Sequence, residues 1–120
     1  GQQEASCKYA AFTGNETGCD TNSTWPVCSK PQGNSVSGLC DMSGNVYEFC
    51  QDWYGPVTSE SCFTGNDPLG AANGLYRSGR GGSWVTARSN AVHLATAFRK
   101  YYDPRKTWND GGFRVVRQLP

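Results

Sequence analysis

The cysteines constrain this chain more than any other feature. Cys7 and Cys19, Cys28 and Cys40, and Cys50 and Cys62 are each twelve residues apart. An even count in a short chain points to disulfides and to an oxidising compartment. Among the possible pairings the regular spacing favours three local loops, each contributing roughly 3 kcal/mol in the chain-entropy account. Zinc is the competing use of so many thiols, but no CxxC pair occurs and His93 is the only histidine. With 120 residues, 37% hydrophobic content and 15 glycines, the chain suits one loop-rich domain with one small core. No run approaches the length of a membrane span.

The second constraint is the stretch Gly38–Tyr54. Asp41, Ser43, Gly44 and Asn45 carry turn chemistry. From Val46 onward the residues alternate, with Glu48, Cys50 and Asp52 on one side and Tyr47, Phe49, Gln51 and Trp53 on the other, which predicts a strand. The turn concentrates oxygen donors: the Asp41 and Glu48 carboxylates and the carbonyls of Gly44 and Val46 could serve a calcium ion completed by other oxygens. The same residues read equally as a turn capped by Asp41, with Glu48 paired to an arginine.

Charge is unevenly spread. Residues 1–75 carry Lys8 and Lys30 against eight acids, whereas residues 76–120 carry nine Arg/Lys against Asp103 and Asp110. A basic half can serve an anionic ligand; the preferred reading is that the halves fold together and pair their charges. Residues 1–37 read as disulfide-pinned loops, with short strands near Lys8–Phe12 and Trp25–Cys28. Asn15-Glu16-Thr17 and Asn22-Ser23-Thr24 match the glycosylation sequon but are too short to carry a function. Gly81-Gly82 completes no phosphate-loop pattern and marks a bulge or a close backbone approach. Val92–Lys100 suits a strand or a short helix. Residues 112–117 read as a closing strand.

Taken in order, Gly38-Leu39-Cys40-Asp41-Met42-Ser43-Gly44-Asn45-Val46-Tyr47-Glu48-Phe49-Cys50, Asp67-Pro68, Arg80-Gly81-Gly82-Ser83-Trp84, Arg99 and Gly112-Phe113-Arg114-Val115-Val116 form a recognisable series. The chain resembles the formylglycine-generating-enzyme and sulfatase-modifying-factor family over roughly residues 25–117. That resemblance implies an α+β, loop-rich, C-type-lectin-like domain with a small antiparallel sheet, its strands near 46–54, 78–84, 93–99 and 112–117. It also implies calcium at Asp41, Gly44, Val46 and Glu48. The family's further, upstream calcium site is not expected, because Lys8 and a cysteine-bound loop stand there. The family's usual N-terminal opening is absent, so residues 1–120 read as a minimal member or a processed C-terminal portion.

The family's catalysis transfers poorly. Its active enzymes use two cysteines five residues apart, bind copper and oxidise a substrate cysteine. Counted from Gly81-Gly82-Ser83-Trp84, those positions fall on Ala91 and Thr96, and no cysteine follows Cys62. Neither residue offers the thiolate that copper(I) prefers, so no copper is expected. The related histidine-ligated iron synthases would need more than His93. In some relatives the region between Gly-Gly-Ser-Trp and Gly-Phe-Arg is diversified by retroelements for ligand display. The expectation is a non-catalytic domain, extracellular, on the cell surface or periplasmic, that binds a protein or glycan through Arg88, His93, Tyr101, Tyr102 and Trp108. It has no nucleic-acid role. Two readings stand beside it: an oxidase with active residues supplied elsewhere, and a self-assembling subunit of an extracellular structure.

Overall fold

The computed structural model describes residues 4–14, 19, 22–57 and 70–117. Its centre is strand β1, Tyr47–Trp53. Strands β2, Arg77–Arg80, β3, Lys100–Tyr102, and β4, Gly111–Phe113, complete a four-stranded sheet in the order β3-β2-β1-β4. The rest of the described chain is turns, loops and 3-10 turns at Pro31–Gly33 and Arg88–Leu94. The loop-rich α+β class holds.

The sheet is mixed rather than purely antiparallel. β2 runs antiparallel to both β1 and β3, but β4 pairs with β1 in parallel, Tyr47 to Gly111 and Phe49 to Phe113. A parallel partner needs a crossover, and here residues 54–110, which include β2 and β3, supply it. The ladder slips between Phe49 and Trp53, so the alternation of β1 does not continue unbroken to its end.

Aromatic rings and one glycine explain how β2 and β3 meet. Tyr102 is 1% exposed, and its ring lies 5.5 Å from Tyr47, 5.2 Å from Phe49 and 5.1 Å from Trp108. A Cβ at Gly79 would stand 2.7 Å from that ring; glycine lets the tyrosine lie flat on the strand. A second small core joins Ala10, Phe12 and Leu94.

Several expected strands are shorter or elsewhere. The strand expected over 78–84 ends at Arg80, because Gly81 and Gly82 take φ of 91° and 71°, which breaks the extended backbone. The strand expected near 93–99 is instead the end of a 3-10 turn followed by a loop, and the strand begins only at Lys100. Leu94 drops into the core while His93 stacks on Phe98 at 4.0 Å, a local packing that an extended chain could not make. The closing strand stops at Phe113; Val115 and Val116 beyond it are exposed. In the N-terminal region, Ala11 forms only an isolated bridge to Gly44, and Trp25 is held by the Asn45 side chain rather than by a strand partner.

Cys7–Cys19 and Cys28–Cys40 are disulfides, as the spacing predicts. Cys62 lies outside the described residues, and Cys50 has no disulfide partner among them. Four ion pairs form among the described residues. Three of them, Arg88–Glu4, Arg99–Asp52 and Arg114–Glu48, join the basic half to the acidic half.

Candidate functional site

One arginine joins the start of the turn that precedes β1 to the Glu48 carboxylate of the strand. Asp41 and Asn45 adopt positive φ, 55° and 66°, on either side of Gly44 at 78°. The Asp41 carboxylate accepts the Cys28 N–H at 2.7 Å. Both oxygens of Glu48 accept from the Arg114 guanidinium, through Nε at 2.8 Å and through Nη2, and Nη2 also reaches the Cys40 carbonyl at 3.0 Å. The hydrogen bond to Glu48, together with the nearby charge of Asp41, holds Arg114 above the usual guanidinium range. The donors of this turn are oxygens only, a set that suits a hard cation. No turn or loop backbone hydrogen bond among the described residues ends on the Gly44 or Val46 carbonyl. The donor chemistry is of the kind that suits calcium.

A cavity of about 610 Å³ opens on the other side of the turn. Ala91 and Thr96, the positions on which the count from Gly81-Gly82-Ser83-Trp84 falls, both line it. Ser43 and Leu94 form its floor, and the Ser43 hydroxyl donates to the Leu94 carbonyl at 2.9 Å. Tyr9 and Ala10 form a wall that the Cys7–Cys19 bridge holds in place. Arg88 stands at the edge, donating to the Ala5 carbonyl at 3.2 Å and facing Glu4 at 3.8 Å. Among the described residues that line it there is no cysteine and no histidine. Such a site can bind by shape, by hydroxyls, by the Arg88 guanidinium and by the Glu4 carboxylate.

The five residues expected to bind ligand do not gather in one place. Arg88 lies on the cavity. His93 points inward: its Nδ1 is 2.9 Å from the Tyr47 hydroxyl, and burial, aided by Lys100, pushes its pKa below the usual value. Tyr102 is a core residue, with burial and then Asp110 pushing its phenol upward. This corrects its place in the ligand set. Trp108, 41% exposed, packs edge-on against Tyr102. Tyr101, 58% exposed, points the opposite way and meets Tyr54 and Tyr76 at 5.6 and 5.1 Å. Sequence reasoning missed Tyr9, Ser43 and Leu94 as cavity residues, since only the folded N-terminal loop brings them there. It also missed a buried polar group in which Ser83 donates to Asp110 at 3.2 Å and Thr86 accepts the Ser83 N–H at 3.0 Å.

Residues 1–119 match the Sulfatase-modifying factor enzyme 1-like domain. The chain belongs to that family. This member is 40% identical over 100 residues to the serine/threonine-protein kinase Pkn1 of Chlamydia trachomatis, covering 82% of this chain and 16% of the kinase. It is 37% identical over 95 residues to the formylglycine-generating enzyme of Streptomyces coelicolor, covering 78% of this chain and 29% of the enzyme. Among solved structures, Treponema denticola variable protein 1 superposes with a TM-score of 0.70 at 32% identity, over 88% of this chain and 34% of that one. This family member thus spans well under half the length of these relatives.

Proposed function

We propose that this chain is a non-catalytic, extracellular ligand-binding or interaction domain of the sulfatase-modifying factor family, with a structural calcium ion. The observation that carries the reading is the cavity itself. Its volume of about 610 Å³ is within the range of small-molecule sites, and Ala91 and Thr96, which the count from the Gly-Gly-Ser-Trp motif expects at the thiol positions of the family's active enzymes, line it. The likeness to a protein titled a variable protein supports a display role for the surface between Trp84 and Gly112. The disulfides support an oxidising location. No helix among the described residues is long and apolar enough to cross a membrane.

Copper binding tests the lost chemistry. Wild-type protein given copper(I) and a cysteine-containing peptide is expected to bind no stoichiometric copper and to leave the peptide unoxidised. Ala91→Cys/Thr96→Cys places two thiols on the cavity and is expected to bind one copper(I) per chain. Aldehyde formation on the peptide by the wild type would overturn the proposal in favour of an oxidase.

Calcium, in this reading, is held by the Asp41 and Glu48 side chains and the Gly44 and Val46 carbonyls, and it stiffens the turn that feeds β1. Arg114 already counters the charge of Glu48, so the expected affinity is that of extracellular modules, on the order of 10⁻⁴ to 10⁻³ M. Calorimetric titration of the wild type checks it, and Asp41→Ala is expected to abolish the signal. No heat at millimolar calcium would refute the site and leave Arg114 as the sole partner of Glu48.

A further inference from the structure

The two described disulfides sit in opposite electrostatic surroundings. Lys30 is only 9% exposed, and its Nζ lies 3.4 Å from the centre of the Trp25 ring. From there it donates to Cys7 Sγ at 3.1 Å. A disulfide sulfur is a weak acceptor, so the ammonium adds little to the closed bridge. It stabilises far more strongly the thiolate formed when the bridge opens. The other sulfur of the pair is matched differently: Cys19 Sγ lies 3.3 Å from the Ala10 carbonyl oxygen. In the closed bridge both of those atoms are acceptors. After reduction the Cys19 S–H can donate to that oxygen. Each sulfur thus already has the partner that its reduced form needs.

At Cys28–Cys40 the neighbour is an anion. An Asp41 carboxylate oxygen lies within 4.8 Å of both sulfurs. A thiolate approaching or leaving either sulfur would meet a like charge.

We propose that Cys7–Cys19 is a thiol–disulfide exchange site, opened by a dithiol that attacks Cys19 Sγ while Cys7 departs as a thiolate against Lys30. In the first step the attacking thiolate bonds to Cys19 Sγ, the Cys7–Cys19 bond breaks, and its electron pair passes to Cys7 Sγ. The second thiolate of the reductant then attacks the mixed disulfide, closes the reductant's own disulfide and releases the Cys19 sulfur, which takes up a proton. Two electrons pass from the dithiol to the protein. The opened bridge no longer tethers Tyr9 and Ala10, which wall the cavity, or Phe12, which fills the core below it. Reduction therefore loosens the cavity from its N-terminal side.

The test is timed reduction of the whole chain by dithiothreitol in calcium-free buffer at neutral pH, with differential alkylation and mass spectrometry of Cys7, Cys19, Cys28 and Cys40. Cys7–Cys19 is expected to open on the order of tenfold faster than Cys28–Cys40. Lys30→Met should remove most of that advantage and Lys30→Arg should keep it. Comparable rates in the wild type, or an advantage that survives Lys30→Met, would overturn the proposal. Glutathione supplies a readout that needs no variant: its mixed disulfide should form on Cys19. Adducts found mainly on Cys7 would overturn the assignment of the leaving sulfur even if Lys30→Met failed to fold.

Discussion

Asp52→Ala is expected to destabilise this domain by about 3–5 kcal/mol, because it removes a carboxylate paired with a buried guanidinium. The Arg99 side chain is 8% exposed and donates to Asp52 Oδ2 at 3.2 Å, to Ser78 Oγ at 3.0 Å and to the Gly55 carbonyl at 2.9 Å. Ser78, itself fully buried, donates to the same Asp52 oxygen at 2.7 Å. Removing the carboxylate takes an acceptor from both the guanidinium and the serine. Arg99→Ala should cost less, since the Asp52 side chain is 23% exposed and water can reach the oxygen left behind. For a chain of 120 residues the Asp52→Ala loss corresponds to roughly 12–20 °C in Tm. Thermal and denaturant unfolding of both variants checks the size and the order. A loss below about 1 kcal/mol for Asp52→Ala would mean that Arg99 is solvated or otherwise paired.

The second large effect separates two neighbouring tyrosines. Tyr102→Ala removes a ring in contact with Tyr47, Phe49 and Trp108 and should cost about 3–5 kcal/mol, as deletion of a large aromatic core residue does. Tyr101→Ala, one residue earlier on the same short strand, removes a side chain that is 58% exposed and should change stability by less than about 1 kcal/mol. Successive residues of a strand face opposite ways, so the contrast tests the register of β3 directly. Equal losses would place both rings in packed surroundings. The reverse order would mean that β3 is shifted by one residue against Arg77 and Ser78. Tyr101 alone of the pair then remains a candidate for contact with a ligand.

These predictions also mark where the sequence speaks clearly and where it does not. β1 is legible because an alternating apolar pattern follows a turn built from Asp41, Ser43, Gly44 and Asn45. The Cys7–Cys19 and Cys28–Cys40 loops are legible because twelve-residue spacing makes local closure easy. The end of β2 is announced by Gly81-Gly82, though as a turn rather than the continuation expected. The segment 93–99 misleads because a short apolar run has no period that distinguishes a strand from a 3-10 turn; the outcome rests on Leu94 reaching Phe12 and on His93 meeting Phe98. Tyr101 and Tyr102 look alike in sequence, and only the register against β2 decides which is buried. The parallel pairing of β4 is equally hidden, since it depends on a partner more than sixty residues away.

The candidate site is legible in a different way. Ala91 and Thr96 are unremarkable alone and gain meaning only from their distance to Gly81-Gly82-Ser83-Trp84. Tyr9 and Ser43 carry no such signal, because disulfide closure and the Ala11–Gly44 bridge bring them to the cavity. The charge asymmetry is met in part by Arg88, Arg99 and Arg114, each of which reaches an acid of the first half.

The placement of β1 between β2 and β4 has an effect on what the chain can tolerate. Everything between Arg80 and Gly111 leaves the sheet on one side of β1 and returns on the other, adding β3 and a contact from His93 to Tyr47 on the way. Both ends of that excursion are fixed by backbone pairing with the same strand, which does not depend on the side chains in between. Closing a longer loop raises the entropic cost only slowly, by about 0.6 kcal/mol for each doubling of length. The cost of changing the length of the stretches on either side of β3 is therefore small, provided that Leu94, Tyr102, Trp108, Ser83 and Asp110 stay as they are. A fold arranged in this way can carry many different surfaces on one unchanged frame.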